Sequence, residues 1–496
     1  MDIIFLVVPT ILIAIVLAAV WLDRWSVPVI LVALGIGIVF GSDVLNLYDF
    51  SDVNLANQVA NIALVFILFQ GGFNTKRDTF KSVALAATGL ATWGVVLTAA
   101  ATFLALWGVL GWPFQKSLLL AVIISSTDAA ATFSILRRQS LSRKLTATLE
   151  VESAANDPMA ILLTVLAVAG FTSDKAAQWE MVLLSFLWKF TFAPVLGWLI
   201  ARGAIWLFNR LCPQDRGYYY VLFLGITLFI YGIAEEIHTS GMIAVFVAGY
   251  VLGNHPFVHK QGVYNFSSAL SVIANIGMFA LMGLLIYPKQ WSTLWMDGII
   301  LFLVLTFIAR PAAVWLGTLG MQIRWKNKLF MMWAGLRGAV PIVLATYPAT
   351  AGLEIGQDIF NLVFFAVLLS VLLQGSTLGL IAKLLGLAKV QRPKPLYNLE
   401  LITMAHSDLD LIVVDLPGPK NTLGPAISDL QLPHGSVITL ITRGSEVVVP
   451  KGSTHLHGWD QVTILAHVKD EESVRRALLE PFAKSGKHNP PPEHKT

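Results

Sequence analysis

The chain's long apolar segments constrain it more than any other feature. Between residues 3 and 385 there are thirteen stretches of spanning or near-spanning length. They are 3–22, 27–41, 57–73, 82–108, 116–136, 146–170, 181–208, 217–234, 240–254, 265–287, 296–320, 328–349 and 358–385. A helix of about 20 apolar residues crosses the hydrocarbon core of a bilayer. Composition agrees: 56% of the 496 residues are hydrophobic and only 13% are charged, against about 25% charge in a soluble domain. The mean hydropathy is +0.70. These numbers predict an all-α polytopic membrane protein with thirteen transmembrane helices. The first stretch lacks a basic leader and ends at Asp23-Arg24 without a cleavage site, so it reads as a retained span. A single cysteine, Cys212, excludes an internal disulfide.

The loops test the count. With the N-terminus outside, the inner loops hold Arg24, Lys76, Arg77, Lys81, Arg137, Arg138, Arg143, Lys144, Arg210, Arg216, Lys260, Arg324, Lys326 and Lys328. The outer loops hold only Lys116, Lys175 and Lys289. The bias obeys the positive-inside rule and places the C-terminus in the cytosol. Acidic Asp43, Asp49, Asp52, Glu354 and Asp358 fall outside.

Spans 5 and 12 are interrupted. Span 5 carries "SSTDAAAT", and span 12 carries "GLRGAVP" with Gly335, Gly338 and Pro341. If spans 1–6 pair with spans 8–13, these two interruptions occupy matching positions. An offset of seven spans makes the repeats inverted. Broken helices at matching positions mark a transport site near mid-membrane, because irregular backbone there survives only inside protein or beside water.

The same region carries charge. Asp128 lies in span 5, Glu152 and Asp157 in span 6, Arg310 in span 11 and Arg337 in span 12. A charge at the bilayer centre costs roughly 2.5–3.5 kcal/mol on insertion scales, and such residues mark ion or proton routes. In "ESAANDP", Ser153 and Asp157 are four residues apart and share a helix face. Glu152 and Asn156 share the adjacent face, where the amide can reach the carboxylate. Pro158 deprives the Ala154 carbonyl of its helical donor. No histidine or cysteine cluster accompanies these residues, and hard oxygens suit a monovalent cation or a proton. Cation and proton would compete for the one carboxylate of Asp157, and an empty charged site would be costly to move, which gives obligatory exchange.

Four motifs in order, "STDAAAT", "ESAANDP", "ARP" and "GLRGAVP", make residues 1–385 resemble the monovalent cation/proton antiporters of the NhaP and NHE kind. The resemblance implies a homodimer with a core of spans 4–6 and 11–13 beside an interface subdomain of spans 1–3 and 8–10. By motif position, Thr127 would give a backbone oxygen. Asp128, Ser153 and Asp157 would be cation ligands, with Asp157 the proton carrier. Glu152 would be held by Asn156 and by Arg310 or Arg337. The Asn-Asp pair implies electroneutral exchange. No cofactor is implied beyond the transported H+ and K+ or Na+.

Composition shifts after residue 385. Residues 386–399 form a linker containing "QRPKP", residues 400–480 a small α+β cytosolic domain, and residues 481–496 a disordered tail rich in proline, lysine and histidine. "DLDLIVVDL", "SVITLITRG", "SEVVVPK" and "DQVTILAHV" alternate as strands, and "DEESVRRALLE" reads as a helix. The domain is similar to the TrkA-C module of RCK potassium-transport regulators, carried by "STHLHGWDQVTILA", although Trp459 before Asp460 departs from its usual ending. No GxGxxG follows a strand, so no nucleotide-binding Rossmann half accompanies it. Such modules dimerise, and some bind nucleotides, including cyclic dinucleotides. Body and tail together resemble the potassium/proton, cell-volume-regulating branch of bacteria, which puts the chain in the inner membrane with its N-terminus periplasmic and its C-terminus cytoplasmic. The resemblance leans to K+ first and Na+ second. Neither an enzyme nor a nucleic-acid binder is indicated. The second reading is a regulated cation channel, suggested by the tail; against it stand the missing TVGYG-like filter and the buried titratable acids.

Overall fold

The computed structural model describes residues 4–22, 29–41, 45, 52–128, 141–172, 179–211, 215–285, 291–388, 409–417, 422–444, 446–467 and 470–485. Cys212, most of the expected linker, residues 486–496 and the second half of expected span 5 lie outside them. The chain divides into two compact units, residues 1–256 with 263–389 and residues 257–262 with 390–496.

Among the described residues, the regular structure of the first unit is all helical. Its helices are α1 (Ile4–Leu22), α2 (Val29–Phe40), α3 (Val53–Asn74), α4 (Arg77–Phe103) and α5 (Phe114–Ile123). There follow α6 (Arg143–Thr172), α7 (Trp179–Arg210), α8 (Gly217–Glu236), α9 (Gly241–Gly253), α10 (Lys260–Leu284) and α11 (Trp291–Val304). The last five are α12 (Arg310–Gly317), α13 (Trp325–Trp333), α14 (Ala339–Thr350), α15 (Gly356–Leu369) and α16 (Ser376–Leu384). Single π-turns at Leu305–Ala309 and Ser370–Gly375 join α11 to α12 and α15 to α16. Pro311 explains the first: it cannot donate to the Phe307 carbonyl, and the ladder widens.

Seven helices among the described residues are long and apolar enough to cross a membrane, including residues 54–74, 89–109, 187–210, 217–236, 260–284, 294–317 and 356–384. Six shorter apolar helices accompany them, at residues 8–22, 29–40, 114–123, 159–172, 241–253 and 340–350. Helix α7 shows why this unit belongs in lipid. Leu187, Trp188, Phe192, Val195, Trp198, Leu199 and Trp206 all face outward from it, a continuous apolar surface that water would not tolerate.

The helices pack in two groups. In one, α3 lies along α9, and α9 also packs on α7 and α8. The α3 and α9 backbones touch: a Cβ on Gly249 would run into the Phe69 carbonyl, the close approach that small residues permit in membranes. Helix α9 is short but firmly started. The Ser240 hydroxyl accepts from the Ile243 N–H, and Glu235 accepts from the Gly241 N–H at 2.9 Å, so two orphan donors are met. In the other group, α4 packs on α6 and α12, α11 on α15, and α14 on α15, α6 and α5. This second group carries the buried charges.

The second unit holds a four-stranded antiparallel sheet, ordered β1-β6-β3-β4, and a two-stranded sheet of β2 and β5. The strands are β1 (Leu409–Asp415), β2 (Leu423–Ala426), β3 (Val437–Arg443), β4 (Glu446–Val448), β5 (His455–His457) and β6 (Gln461–His467). Helix α17 (Glu471–Ser485) covers the core of Ile412, Val414, Ile441, Leu456, Val462 and Ile464. The sequence expectation anticipates β1, β3, β4 and β6 but not β2 and β5, which are too short to show alternation. It also ends the helix too early. Helix α17 runs through Pro481 to Ser485 because Phe482, only 5% exposed, packs into the core. Phe482 lies over Gly424, where a Cβ would collide with its ring. The expected disordered tail therefore starts no earlier than residue 486.

Candidate functional site

Helix α5 stops at Ile123, and residues 124–128 continue without helix. The span containing α13 and α14 is broken at residues 334–338. These two breaks run against each other. The Asp128 N–H donates to the Leu336 carbonyl at 2.8 Å. Arg337 Nη1 donates to the carbonyls of Ser125 and Ser126 at 2.8 and 2.6 Å. The Arg337 N–H donates in turn to Ser370 Oγ at 3.0 Å. Each break thus supplies partners for backbone groups that the other leaves open, as irregular backbone at this depth requires.

The glycines of "GLRGAVP" make that crossing fit. A Cβ on Gly338 would fall on the Asp128 carboxylate, and one on Gly335 would meet the Arg310 guanidinium. Pro341 sits in the first turn of α14, where a missing N–H is tolerated.

Helix α6 brings the remaining residues to the crossing. Thr127 Oγ1 and Ser153 Oγ lie 2.9 Å apart in a hydrogen bond, and Asn156 Nδ2 donates to the same Thr127 oxygen at 2.6 Å. Ser153, Asn156 and Asp157 are all buried, as are Thr127 and Asp128. Among the described residues, Asp157 Oδ1, Asn156 Oδ1 and Ser126 Oγ have no hydrogen-bond partner. The site is therefore a tight set of hydroxyl, carboxylate and amide oxygens, several with unused lone pairs. Among the described residues, no group of three or more His, Cys, Asp or Glu side chains is placed to hold a metal ion. Oxygens alone suit a hard cation.

Glu152 faces elsewhere. Its Oε1 accepts from Arg310 Nη1 at 2.5 Å, with both side chains almost fully buried. Arg310 also donates from Nε and Nη2 to the Met331 carbonyl, at 3.3 and 3.2 Å. The choice left open by the sequence between Arg310 and Arg337 thus falls to Arg310. One expectation is corrected: the Asn156 amide turns to Thr127 rather than to Glu152. The end of α5 is unwound there, so the Thr127 side chain comes within reach of α6. The Thr127 hydroxyl is engaged by Ser153 and Asn156.

Sequence reasoning missed Ser370 and Gln374. Ser370 Oγ donates to Gln374 Oε1 at 2.5 Å while holding the Arg337 backbone. They lie in an apolar run whose only signal is two polar residues four apart, on what becomes a π-turn. His238 and His255 lie at helix ends away from these residues; His255 Nδ1 lies 2.8 Å from the Val251 carbonyl of the helix that ends just before it.

A family model described as "Sodium/hydrogen exchanger, transmembrane" matches residues 11–384. The K(+)/H(+) antiporter NhaP2 of Shewanella sp. (strain ANA-3) is 34% identical over 454 residues, covering 91% of this chain and 79% of that protein. The K(+)/H(+) antiporter NhaP of Alkalimonas amylolytica is 31% identical over 462 residues, covering 92% and 80%. The solved structure of the sodium proton antiporter MjNhaP1 from Methanocaldococcus jannaschii at pH 8 is similar with a TM-score of 0.67 and 25% identity, covering 78% of this chain and all of that one.

Proposed function

The chain belongs to the sodium/hydrogen exchanger family, and from that premise we propose that its monovalent cation/proton exchange runs through Asp157, with K+ as the preferred cation and Na+ second. The carrying observation is the Asp157 carboxylate: 4% exposed, with Oδ1 unpartnered among the described residues, on the helix that brings Ser153 and Asn156 into hydrogen bonds with the Thr127 hydroxyl. A buried carboxylate with no counter-charge costs several kcal/mol. A proton or a cation removes that cost, and the two exclude each other. Asp128, Ser153 and Thr127 complete the cation's oxygen shell. Glu152 and Arg310 neutralise one another and frame the site, while Asn156 orients Thr127 and cannot titrate. One acid that trades one proton for one cation leaves no net charge moved, which favours electroneutral exchange by alternating access.

The K+ preference rests on the relatives at 31–34% identity, named K(+)/H(+) antiporters, while the Methanocaldococcus jannaschii protein at 26% identity is named a Na(+)/H(+) antiporter. We take the seven long and six short apolar helices as thirteen spans in inverted repeats, with the N-terminus periplasmic and the C-terminus cytoplasmic in a bacterial inner membrane. The group containing α3 and α9 would form the interface of a homodimer. The β-rich second unit would be a TrkA-C-like regulatory domain, with a nucleotide as its candidate ligand.

The test is proton flux in proteoliposomes on addition of K+, Na+, Li+ or Rb+. Asp157→Ala is expected to abolish all of it while leaving a folded protein. Undiminished exchange in that variant removes Asp157 from the mechanism; flux with Na+ but not K+ reverses the preference.

A further inference from the structure

The broken segment at residues 334–338 carries one half of the crossing, and its own chain does not hold it in place. The Leu336 carbonyl accepts from the Asp128 N–H, and Arg337 Nη1 donates to the Ser125 and Ser126 carbonyls. The position of residues 336 and 337 therefore sets the position of residues 125–128. Outside a helix their own N–H groups have no ladder to join. The Leu336 N–H turns back to the Ala334 carbonyl at 2.8 Å, while the Arg337 N–H donates to Ser370 Oγ at 3.0 Å. The second bond comes from another span, so it fixes the break against the junction of α15 and α16 rather than against itself.

Gln374 completes the arrangement. Ser370 Oγ donates to Gln374 Oε1 at 2.5 Å. A hydroxyl has one proton and two lone pairs, so with its proton spent on Gln374 it presents a lone pair to the Arg337 N–H. A serine inside a regular helix can instead give that proton to the carbonyl four residues back. Here both residues belong to the π-turn at Ser370–Gly375, whose i→i+5 winding sets residues four apart nearly one above the other. Ser370, Gln374 and Arg337 are all buried, so bulk water does not compete for these bonds.

We propose that Ser370 and Gln374 are positioning residues for the exchange: Gln374 orients the Ser370 hydroxyl, Ser370 holds the Arg337 backbone, and Arg337 sets the end of α5 where Thr127 and Asp128 lie. The proposal rests on the reading that the cation binds at the crossing. Neither residue titrates, and neither is assigned to the cation's oxygen shell. Their effect on transport passes through the register of the two breaks. Loss of the Ser370 oxygen leaves the Arg337 N–H buried without an acceptor, and the break is free to shift along α15 and α16. The oxygens at the end of α5 then lose their fixed spacing, which weakens cation binding before it slows the exchange.

The test is proton flux in proteoliposomes titrated with K+, with the half-saturating concentration and the maximal rate read separately. Ser370→Ala is expected to raise the half-saturating concentration about tenfold, the affinity change that matches the lower part of the range for a stranded buried donor, with the maximal rate little changed. Ser370→Thr keeps the hydroxyl, and the adjoining cavity, with room for about one water, can take its methyl; it is expected to behave as the parent does. Gln374→Leu is expected to raise the half-saturating concentration by less than Ser370→Ala does. The double variant is expected to go no further than Ser370→Ala alone, because Gln374 acts through Ser370. A half-saturating concentration unchanged in Ser370→Ala overturns the proposal. So do rate and affinity that fall together without rescue in Ser370→Thr, which marks a merely structural contact. If Ser370→Ala does not fold, Gln374→Leu decides: a raised value supports the proposal and an unchanged one overturns it. Asp157→Ala, run alongside, separates the proposal from its premise. Exchange that survives in Asp157→Ala overturns the site itself, whereas exchange lost there but unaltered in Ser370→Ala overturns only the positioning role.

Discussion

Glu152 and Asp157 lie five residues apart on one helix, both buried, yet their surroundings differ in kind. Glu152 meets a guanidinium at 2.5 Å. Asp157 meets no cation among the described residues and keeps one oxygen unpartnered beside three neutral polar side chains. The same functional group, buried on the same helix, thus has two kinds of surroundings. A carboxylate with a fixed counter-charge is a structural member, since releasing either partner strands a buried charge. A carboxylate without one has to take its counter-charge from outside, and can give it up again.

The first way to break this contrast is to open the closed pair. Arg310→Met alone should destabilise the protein by about 3–5 kcal/mol, because Glu152 is then buried and unpaired. Combining it with Glu152→Leu should restore most of that loss, since removing both charges removes the need for either. Thermal unfolding in detergent measures both. A single variant as stable as the parent would mean that the pair is not structural.

Much of this contrast was legible in the chain. Helical spacing alone divides "ESAANDP" into two faces, and the intramembrane charges could be named one by one because apolar neighbours make them conspicuous. The broken spans were legible for the same reason: glycine and proline stand out in a run of leucine and valine. What spacing cannot supply is distance across helices. Glu152 could reach either arginine until the fold put Arg310 beside it. Asn156 could face Glu152 until the unwound end of α5 brought Thr127 closer. Ser370 and Gln374 were hidden because a π-turn, not an α-turn, sets their direction. In the tail, Phe482 anchors five helical residues that composition alone assigns to disorder.

A buried acid in the β-rich unit sharpens the comparison. Asp460 is 1% exposed and fully engaged: it accepts from Arg443 Nε at 2.9 Å and Nη2 at 2.8 Å, and from the His457 N–H at 2.8 Å. Hydrogen bonding to Asp460 holds the Arg443 guanidinium above its ordinary range. A raised folded value means that the arginine's side of the linkage is complete below its unfolded value and fades only at alkalinity beyond it. The contribution is therefore flat through the neutral range. Arg443→Met should lower the stability of the β-rich unit by about 2 kcal/mol, the scale of a hydrogen bond to a charged group. Amide exchange should quicken in β3 and β6. Unchanged protection there would show that the turn around Asp460 holds without its arginine, and a closed acid would then not require its cation.

The smallest expected effect tests the open site itself. Thr127 Oγ1 is the one atom shared by Ser153 and Asn156. Thr127→Val keeps the shape but leaves a buried hydroxyl and a buried amide without that partner, a cost of about 1–3 kcal/mol. The fold has a second source of support in the Asp128 to Leu336 and Arg337 to serine bonds, so the crossing should persist. The loss should therefore appear in the cation's apparent affinity, weakened about tenfold for a change of about 1.4 kcal/mol, with less effect on the maximal rate. Cation titrations of proton flux separate the two. An unchanged affinity would mean that Thr127 only braces the helix end, and that the open oxygens around Asp157 gain their order from the cation rather than offering it one.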